Sequence, residues 1–326
     1  MNVTTLVPAF KPKYLPQLIH ALRFQTRSPQ SVIISDDSPN QAFINSLKQL
    51  QGSVLQQELN LRVIQGPQQG GLANMRHLLN AWGGETELLH FLFDDDLIYP
   101  EFYRWHIDAQ RAGYQCTVSR RWMGAENGQP LGSLDEPESV RDSKKHLLGF
   151  AASDLFPATV GVCRNWLGEM SNTVFHRDMA DLVQEMALDG IPYNGLEDIG
   201  CHLRASTRMP IGFITQHQGM FRRSPEQNTS NPQRRIIKLG HLAWIALAYS
   251  GVRMGYLQQE QCRRCIHLIG RAILATYGDA PDMRAFCELI PKMCMDEPGV
   301  EGQFLALWSD FVGEPVVEEA ERMAGT

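Results

Sequence analysis

The feature that most constrains this chain is the alternation of short apolar runs with amphipathic segments through its first 93 residues. Val3 to Val7, Ser31 to Ser35, Leu61 to Gln65 and Leu88 to Phe93 read as strands. Pro12 to Thr26 carries Leu15, Leu18, Ile19 and Leu22 at helical spacing, and Gln41 to Leu50 carries Phe43, Ile44, Leu47 and Leu50 on one face;. Leu72 to Trp82 reads as a third helix. Continuous apolar strands separated by such helices predict a mostly parallel α/β sheet covered on both faces, with right-handed crossovers.

After about Tyr114 the pattern loosens. Gln115 to Ser119 reads as a strand, and Glu126 to Pro130 as a hairpin or loop;. Asp135 to Lys145 is a charged loop, Arg177 to Leu188 and Glu197 to Ala205 read as helices, and Pro210 to Thr215 as a strand. The polar run Ser224 to Gln233 is the expected linker. Everything beyond it is helical in pattern: Arg234 to Tyr249, Gln258 to Tyr277, Pro281 to Cys294 and Gly302 to Phe311. The expected division is an α/β unit over residues 1–232, its halves meeting near residue 120, and a helical region over 233–326;.

A hydrophobic fraction of 43% and a charged fraction of 20% suit a globular protein with a real core;. A net charge of −6 argues against a broad nucleic-acid surface;. No apolar run approaches the roughly 18 residues a membrane span needs; the longest candidate, Leu239 to Val252, is short and contains His241;. The first residues lack a basic region and cleavage site, and the seven cysteines suit reduced thiols, so a cytoplasmic protein is expected;. Peripheral contact with the inner face of a membrane stays open, although basic density there is limited to Arg234, Arg235 and Lys238;. Cys262, Cys265, Cys287 and Cys294 fall in helical patterns without paired knuckle spacing and read as small buried hydrophobes rather than zinc ligands;. There is no glycine-rich dinucleotide fingerprint and no P-loop;.

Ligands of open parallel sheets bind beyond the carboxyl ends of the strands. Pro8, Ala9 and Phe10 follow the first strand, Asp36, Asp37 and Ser38 the second, and Asp94, Asp95 and Asp96 the fourth. Three adjacent carboxylates repel one another, and a hard divalent cation such as Mg²⁺ or Mn²⁺ would relieve that repulsion. On extended backbone Asp94 and Asp96 point the same way and can share one cation or its diphosphate. The alternative is a solvated acidic loop.

Together these pieces resemble the family 2 glycosyltransferases, nucleotide-sugar enzymes of the GT-A fold. Pro8-Ala9-Phe10 resembles that family's element after the first strand, with Lys11 where Asn is usual. SVIISDDS (31–38) resembles its second strand and Asp-Asp-x-Ser, and GGLANMRHLL (70–79) its Arg-containing helix start, with His77 in place of Asn. FLFDDD (91–96) resembles its Asp-x-Asp element, and Gly195-Leu196-Glu197-Asp198 its Gly-x-Glu-Asp. The likeness covers roughly residues 3 to 223. It implies transfer of a sugar from a nucleoside diphosphate, UDP- or dTDP-linked, to a glycan, lipid-linked, protein or small-molecule acceptor. It further implies that Asp36 or Asp37 contacts base or ribose, that Arg76 sits near the nucleotide, and that Asp94 and Asp96 hold the metal and donor sugar. Asp198 would be the base, with Glu197 beside it. His217 stands where some GT-A enzymes place a third metal ligand.

Arg222 and Arg223 offer a forked clamp for the diphosphate, or a solvated basic pair;. Trp122 and Trp166 fall where a sugar could stack, though Trp is more often core;. A sugar-phosphate nucleotidyltransferase is the competing enzyme class, but it wants a glycine-rich basic loop where this chain has PAFKPKY. A non-catalytic nucleotide-sugar-binding module is the third reading. The C-terminal helices have three uses: packing on the catalytic unit, a homo-oligomer, or docking a partner. Exposed Trp244, Leu247 and Tyr249 would favour an interface.

Overall fold

Each apolar run of the first 93 residues becomes a strand and each amphipathic segment a helix in a computed structural model that describes residues 1–50, 57–224 and 231–313. The strands are β1 (Val3–Ala9), β2 (Ser31–Asp36), β3 (Leu61–Gln65) and β4 (Leu88–Phe91), then β5 (Leu97–Ile98), β6 (Cys116–Gly124), β7 (Pro130–Ser133) and β8 (Leu147–Phe150). They are followed by β9 (Thr173–His176), β10 (Ala187–Leu188), β11 (Ile191–Pro192) and β12 (Ile211–Arg222).

Ten of these form one sheet in the order β3-β2-β1-β4-β9-β6-β12-β5, with β7 on β6 and β8 on β12. β1 pairs in parallel with β2 and β4, and β12 with β6, while β9 runs antiparallel between β4 and β6. Winding goes outward from β1 to β3 and then reverses at β4, so the switch point lies between β1 and β4. Open α/β sheets form ligand crevices at such a point.

Because the central strands are apolar on both sides, each face needs a cover. One face buries Val7, Leu18, Leu22, Ile34, Phe43, Phe102 and Ile107 beneath helices Leu15–Arg23, Ala42–Gln49 and Phe102–Arg111. The other buries Leu6, Ile33, Phe91 and Phe213 with Met75, Leu78 and Leu155 from helices Gly71–Trp82 and Ala152–Thr159. That second core continues without a break into the C-terminal helices, Arg235–Arg253, Gln259–Tyr277, Arg284–Cys294 and Val300–Gly313.

Trp244, Leu247 and Tyr249 are therefore buried in this shared core, so the exposed face considered as an interface is absent from them. Trp308 Nε1 donates to the Pro192 carbonyl at 2.8 Å, and Ser250 Oγ to Leu188 at 3.1 Å. Cys262 and Cys265 are buried, and the Cys265 sulfur lies 3.2 Å from that of Cys163 on the sheet side of the junction. No described helix is long and apolar enough to cross a membrane.

Two readings change. The expected helix Arg177–Leu188 is a 3-10 turn, a four-residue helix Asp181–Gln184 and the hairpin β10–β11. Asp189 and Gly190 both adopt positive φ, which makes the tight hairpin turn;. The strand expected over Pro210–Thr215 extends to Arg222 because β6 continues beside it, with register shifts flanking His217. Most of the expected linker, residues 225–230, lies outside the described residues.

Candidate active site

The crevice is built where β1 and β4 end. Asp94 Oδ2 accepts from the backbone N–H groups of Phe10 and Lys11, both at 2.5 Å, which ties the two strand ends together. Asp94 is 5% exposed, and burial followed by the charge of Asp95 pushes its carboxyl up to about 7. Asp96 is buried too; its Oδ1 accepts from Arg222 N–H at 3.2 Å and its carboxylate from the Ser171 hydroxyl. Burial, then Asp95, raises its pKa strongly. Asp95 is the most exposed of the three, and its Oδ2 meets the Lys11 ammonium at 2.5 Å. Burial alone would lower the Lys11 pKa, but Asp95 and Asp94 outweigh it and raise it.

Arg222 is 2% exposed. Its guanidinium donates to the carbonyls of Asp95 and Glu126 and lies 4.6 Å from the Tyr14 ring centroid. It fastens the acidic turn from behind. Arg223 follows on the exposed side, its N–H bound to the Gly124 carbonyl.

At the end of β2 the two acids divide their work. Asp36 accepts from Ser38 and, at 2.9 Å, from Ile44 N–H, so it organises the turn into helix Ala42–Gln49. Asp37 Oδ1 accepts from Gln68 N–H at 2.5 Å, and the carboxylate also from Gly70 N–H. A Cβ on Gly66 would come within 2.4 Å of that oxygen, so only glycine leaves room for it. Arg76 turns away from this corner: its guanidinium donates to the carbonyls of Val183 and Gln184. It is His77, one residue on, whose charge bears on the Asp37 carboxyl. Phe10 stands at the mouth, 49% exposed, beside buried Ala9.

The crevice floor was not visible in sequence. The segment Glu169 to Asn172 leads into β9, beside β4, and joins the acidic turn to the Gly195 turn. Ser171 holds Asp96 and, through Oγ, Phe93 N–H at 3.0 Å. Met170 N–H donates to Asp198 Oδ1 at 3.0 Å. Glu169 is paired with buried Arg121 from β6 and its charge acts on both Asp96 and Asp198. Burial, then Glu169 and Glu197, pushes the Asp198 carboxyl up to about 8 against the Met170 N–H and Arg121. Glu197 instead closes its own turn, accepting from Gly195 N–H at 2.7 Å.

His217 is not brought to this cluster. Its ring stacks on Trp122 with centroids 3.7 Å apart, and Nε2 bonds Ser133 Oγ at 2.7 Å. Burial and the charge of Arg120 lower its pKa to about 4. It sits five residues before Arg222, roughly 15 Å up an extended strand;. Trp166 is a core residue against Phe150 and Phe213.

Among the described residues no three His, Cys, Asp or Glu side chains converge to hold a metal ion. The oxygen chemistry still suits Mg²⁺ or Mn²⁺, which take one or two carboxylates and complete their shell with substrate phosphates and water. Each acid of the run meets the protein, Asp94 Oδ2 and Asp96 Oδ1 through backbone N–H groups and Asp95 Oδ2 through the Lys11 ammonium, and Asp95 is the most exposed of the three.

The Glycosyl transferase family 2 model matches residues 4–169, just over half of the 326 residues. The match ends before Asp198. No curated protein matches the chain by sequence. Among solved structures, S. aureus TarS 1-349 in complex with UDP-GlcNAc is 14% identical with a TM-score of 0.55, covering 99% of this chain and 84% of that one. The same protein in complex with UDP gives 13%, a TM-score of 0.53 and coverages of 100% and 92%. Mannosyltransferase PcManGT from Pyrobaculum calidifontis, in complex with GDP-Man and Mn²⁺, gives 11%, 0.52, 99% and 87%. These likenesses show the GT-A fold, and they continue through the C-terminal helices that follow it.

Proposed function

The chain belongs to glycosyl transferase family 2 and is a glycosyltransferase using a nucleotide sugar, and on that premise we propose an inverting transfer in which Asp198 is the base. The observation that carries this is the segment Glu169 to Ser171, which links the acidic turn to Asp198: Ser171 bonds Asp96, Met170 N–H donates to Asp198, and the Glu169 charge acts on both.

In this reading Asp37, with Gln68 and His77 around it, meets the nucleoside, and Phe10 covers it at the mouth. The diphosphate lies against Lys11 and Asp95, with Arg223 at the exposed rim. Asp94, Asp36 and Arg222 hold the loops that carry these groups. Mn²⁺ or Mg²⁺, when bound, would be held by Asp95 in competition with the Lys11 ammonium and would supply positive charge to the leaving diphosphate;. Asp198 takes the proton of the acceptor hydroxyl while its oxygen attacks the anomeric carbon from the opposite side. The bond to the β-phosphate oxygen breaks and its electron pair leaves with the diphosphate. General-base catalysis of this kind contributes roughly 10²–10⁴-fold. Uracil- or thymine-linked donors are favoured, with GDP-sugars the first alternative; the acceptor classes remain a glycan, a lipid-linked sugar, a protein side chain or a small molecule. Seven unpaired thiols suit a reducing, cytoplasmic setting;.

Nucleotide binding is tested by thermal shift with UDP, dTDP and GDP sugars, each with and without Mn²⁺. A ligand at 100 times its Kd stabilises the fold by about 2.7 kcal/mol. One of these donors raises Tm; no shift with any of them rejects the donor site.

A further inference from the structure

The residue after Phe10 is a lysine, and the fold fastens it at both ends. Its backbone N–H donates to Asp94 Oδ2 and its ammonium sits 2.5 Å from Asp95 Oδ2. The two side chains are 24% and 14% exposed, so the pair lies at the lip of the crevice rather than beneath it. Asp94 is occupied by two backbone N–H groups and Asp96 by Arg222 N–H and Ser171. Asp95 is the most exposed acid of the run, and a cation already sits on its Oδ2. A divalent ion drawn to that carboxylate meets the ammonium's charge beside it and competes with it. An ammonium there, with one N–H on Asp95, brings positive charge and its remaining donors to a diphosphate without the dehydration a small divalent ion demands;.

We propose that Lys11 is the resident cation of the donor site, set on Asp95 where a divalent ion would bind and meeting the diphosphate charge in its stead. This rests on the nucleotide-sugar reading above. It makes Mn²⁺ a weak competitor rather than a requirement.

Two measurements test it. The first uses Mn²⁺ alone, followed by electron paramagnetic resonance, on the wild type, Lys11→Met, Lys11→Gln and Lys11→Met with Asp95→Asn. Removing the competing charge tightens Mn²⁺ binding about tenfold in both single variants, and the added Asp95→Asn abolishes the gain. Unchanged Mn²⁺ affinity in both single variants overturns the proposal. The second titrates UDP, dTDP and GDP calorimetrically in EDTA and in Mn²⁺. The nucleotide that binds the wild type does so in EDTA within about threefold of its Mn²⁺ value, whereas the Lys11 variants lose about tenfold in EDTA and recover with Mn²⁺. Wild-type binding that vanishes in EDTA overturns it. Failure of every nucleotide to bind, with the Mn²⁺ gain still present, rejects the nucleotide-sugar reading itself and the proposed role with it.

Discussion

A carboxyl group that must take a proton from a sugar hydroxyl near neutral pH gains from a pKa well above the usual value near 4. At Asp198 burial and the charges of Glu169 and Glu197 supply that rise, to about 8, against the N–H of Met170 and the guanidinium of Arg121. The sign follows: the base form grows as pH rises through 8, so the rate climbs across that range. Glu169→Gln removes one of the raising charges and leaves Arg121 to pull the other way. The ascending limb of kcat/KM then moves to lower pH, by about one unit; a limb that stays in place removes Glu169 from the account. Stability should drop as well, because Arg121 is buried and loses its carboxylate partner, so rates are compared well below the melting range;. Asp198 was proposed from the likeness of Gly195-Leu196-Glu197-Asp198 to the family's Gly-x-Glu-Asp, since acids in a first helical turn alone read equally as helix stabilisation;. Glu169 could not be read from the sequence, since nothing near Gly168-Glu169-Met170 in the chain announces that β9 will lie between β4 and β6.

The Gly195 turn shows how an element sets the position of a side chain. Gly195 has φ +92°, and a Cβ there would stand 2.4 Å from the backbone nitrogen of Gly240 in helix Arg235–Arg253. Backbone on that side cannot yield as a side chain can. Gly195→Ala should cost about 1–3 kcal/mol and tilt the first turn of helix Glu197–Arg208 that carries Asp198;. Gly113, at φ +103° and with nothing within 4 Å of where a Cβ would stand, is the control. Gly195→Ala lowers kcat with nucleotide affinity intact, whereas Gly113→Ala loses stability alone. Equal kcat in the two variants contradicts the link. The strand and helix pattern that leads here was legible because periodicity is local. β10–β11 was missed although Asp189-Gly190, a hairpin signal, stands in plain view between two apolar pairs;. Arg76 was placed by its match to a family motif and His217 by its order in the chain. Neither a motif match nor chain order fixes which way a side chain turns: Arg76 found the carbonyls of Val183 and Gln184, His217 the face of Trp122.

At the scale of the whole molecule, one sheet serves as both frame and divider. Its reversal between β1 and β4 opens the crevice, and its second face joins the C-terminal helices to the catalytic unit in one core. Those helices stand directly behind the turn that precedes Asp198: Gly240 meets Gly195, and Trp308 holds Pro192. The helical nature of this region was legible from its periodicity, but its role was not, because apolar helix faces look alike whether they meet a partner or their own chain. The most direct test of the account is to follow nucleotide-sugar binding and sugar release together in the wild type and Asp198→Asn. Binding is measured by calorimetry and release as free nucleoside diphosphate formed from the donor that binds. Asp198→Asn is expected to bind that donor as the wild type does while release falls by about 10² or more. Release at the wild-type rate from Asp198→Asn would contradict the account.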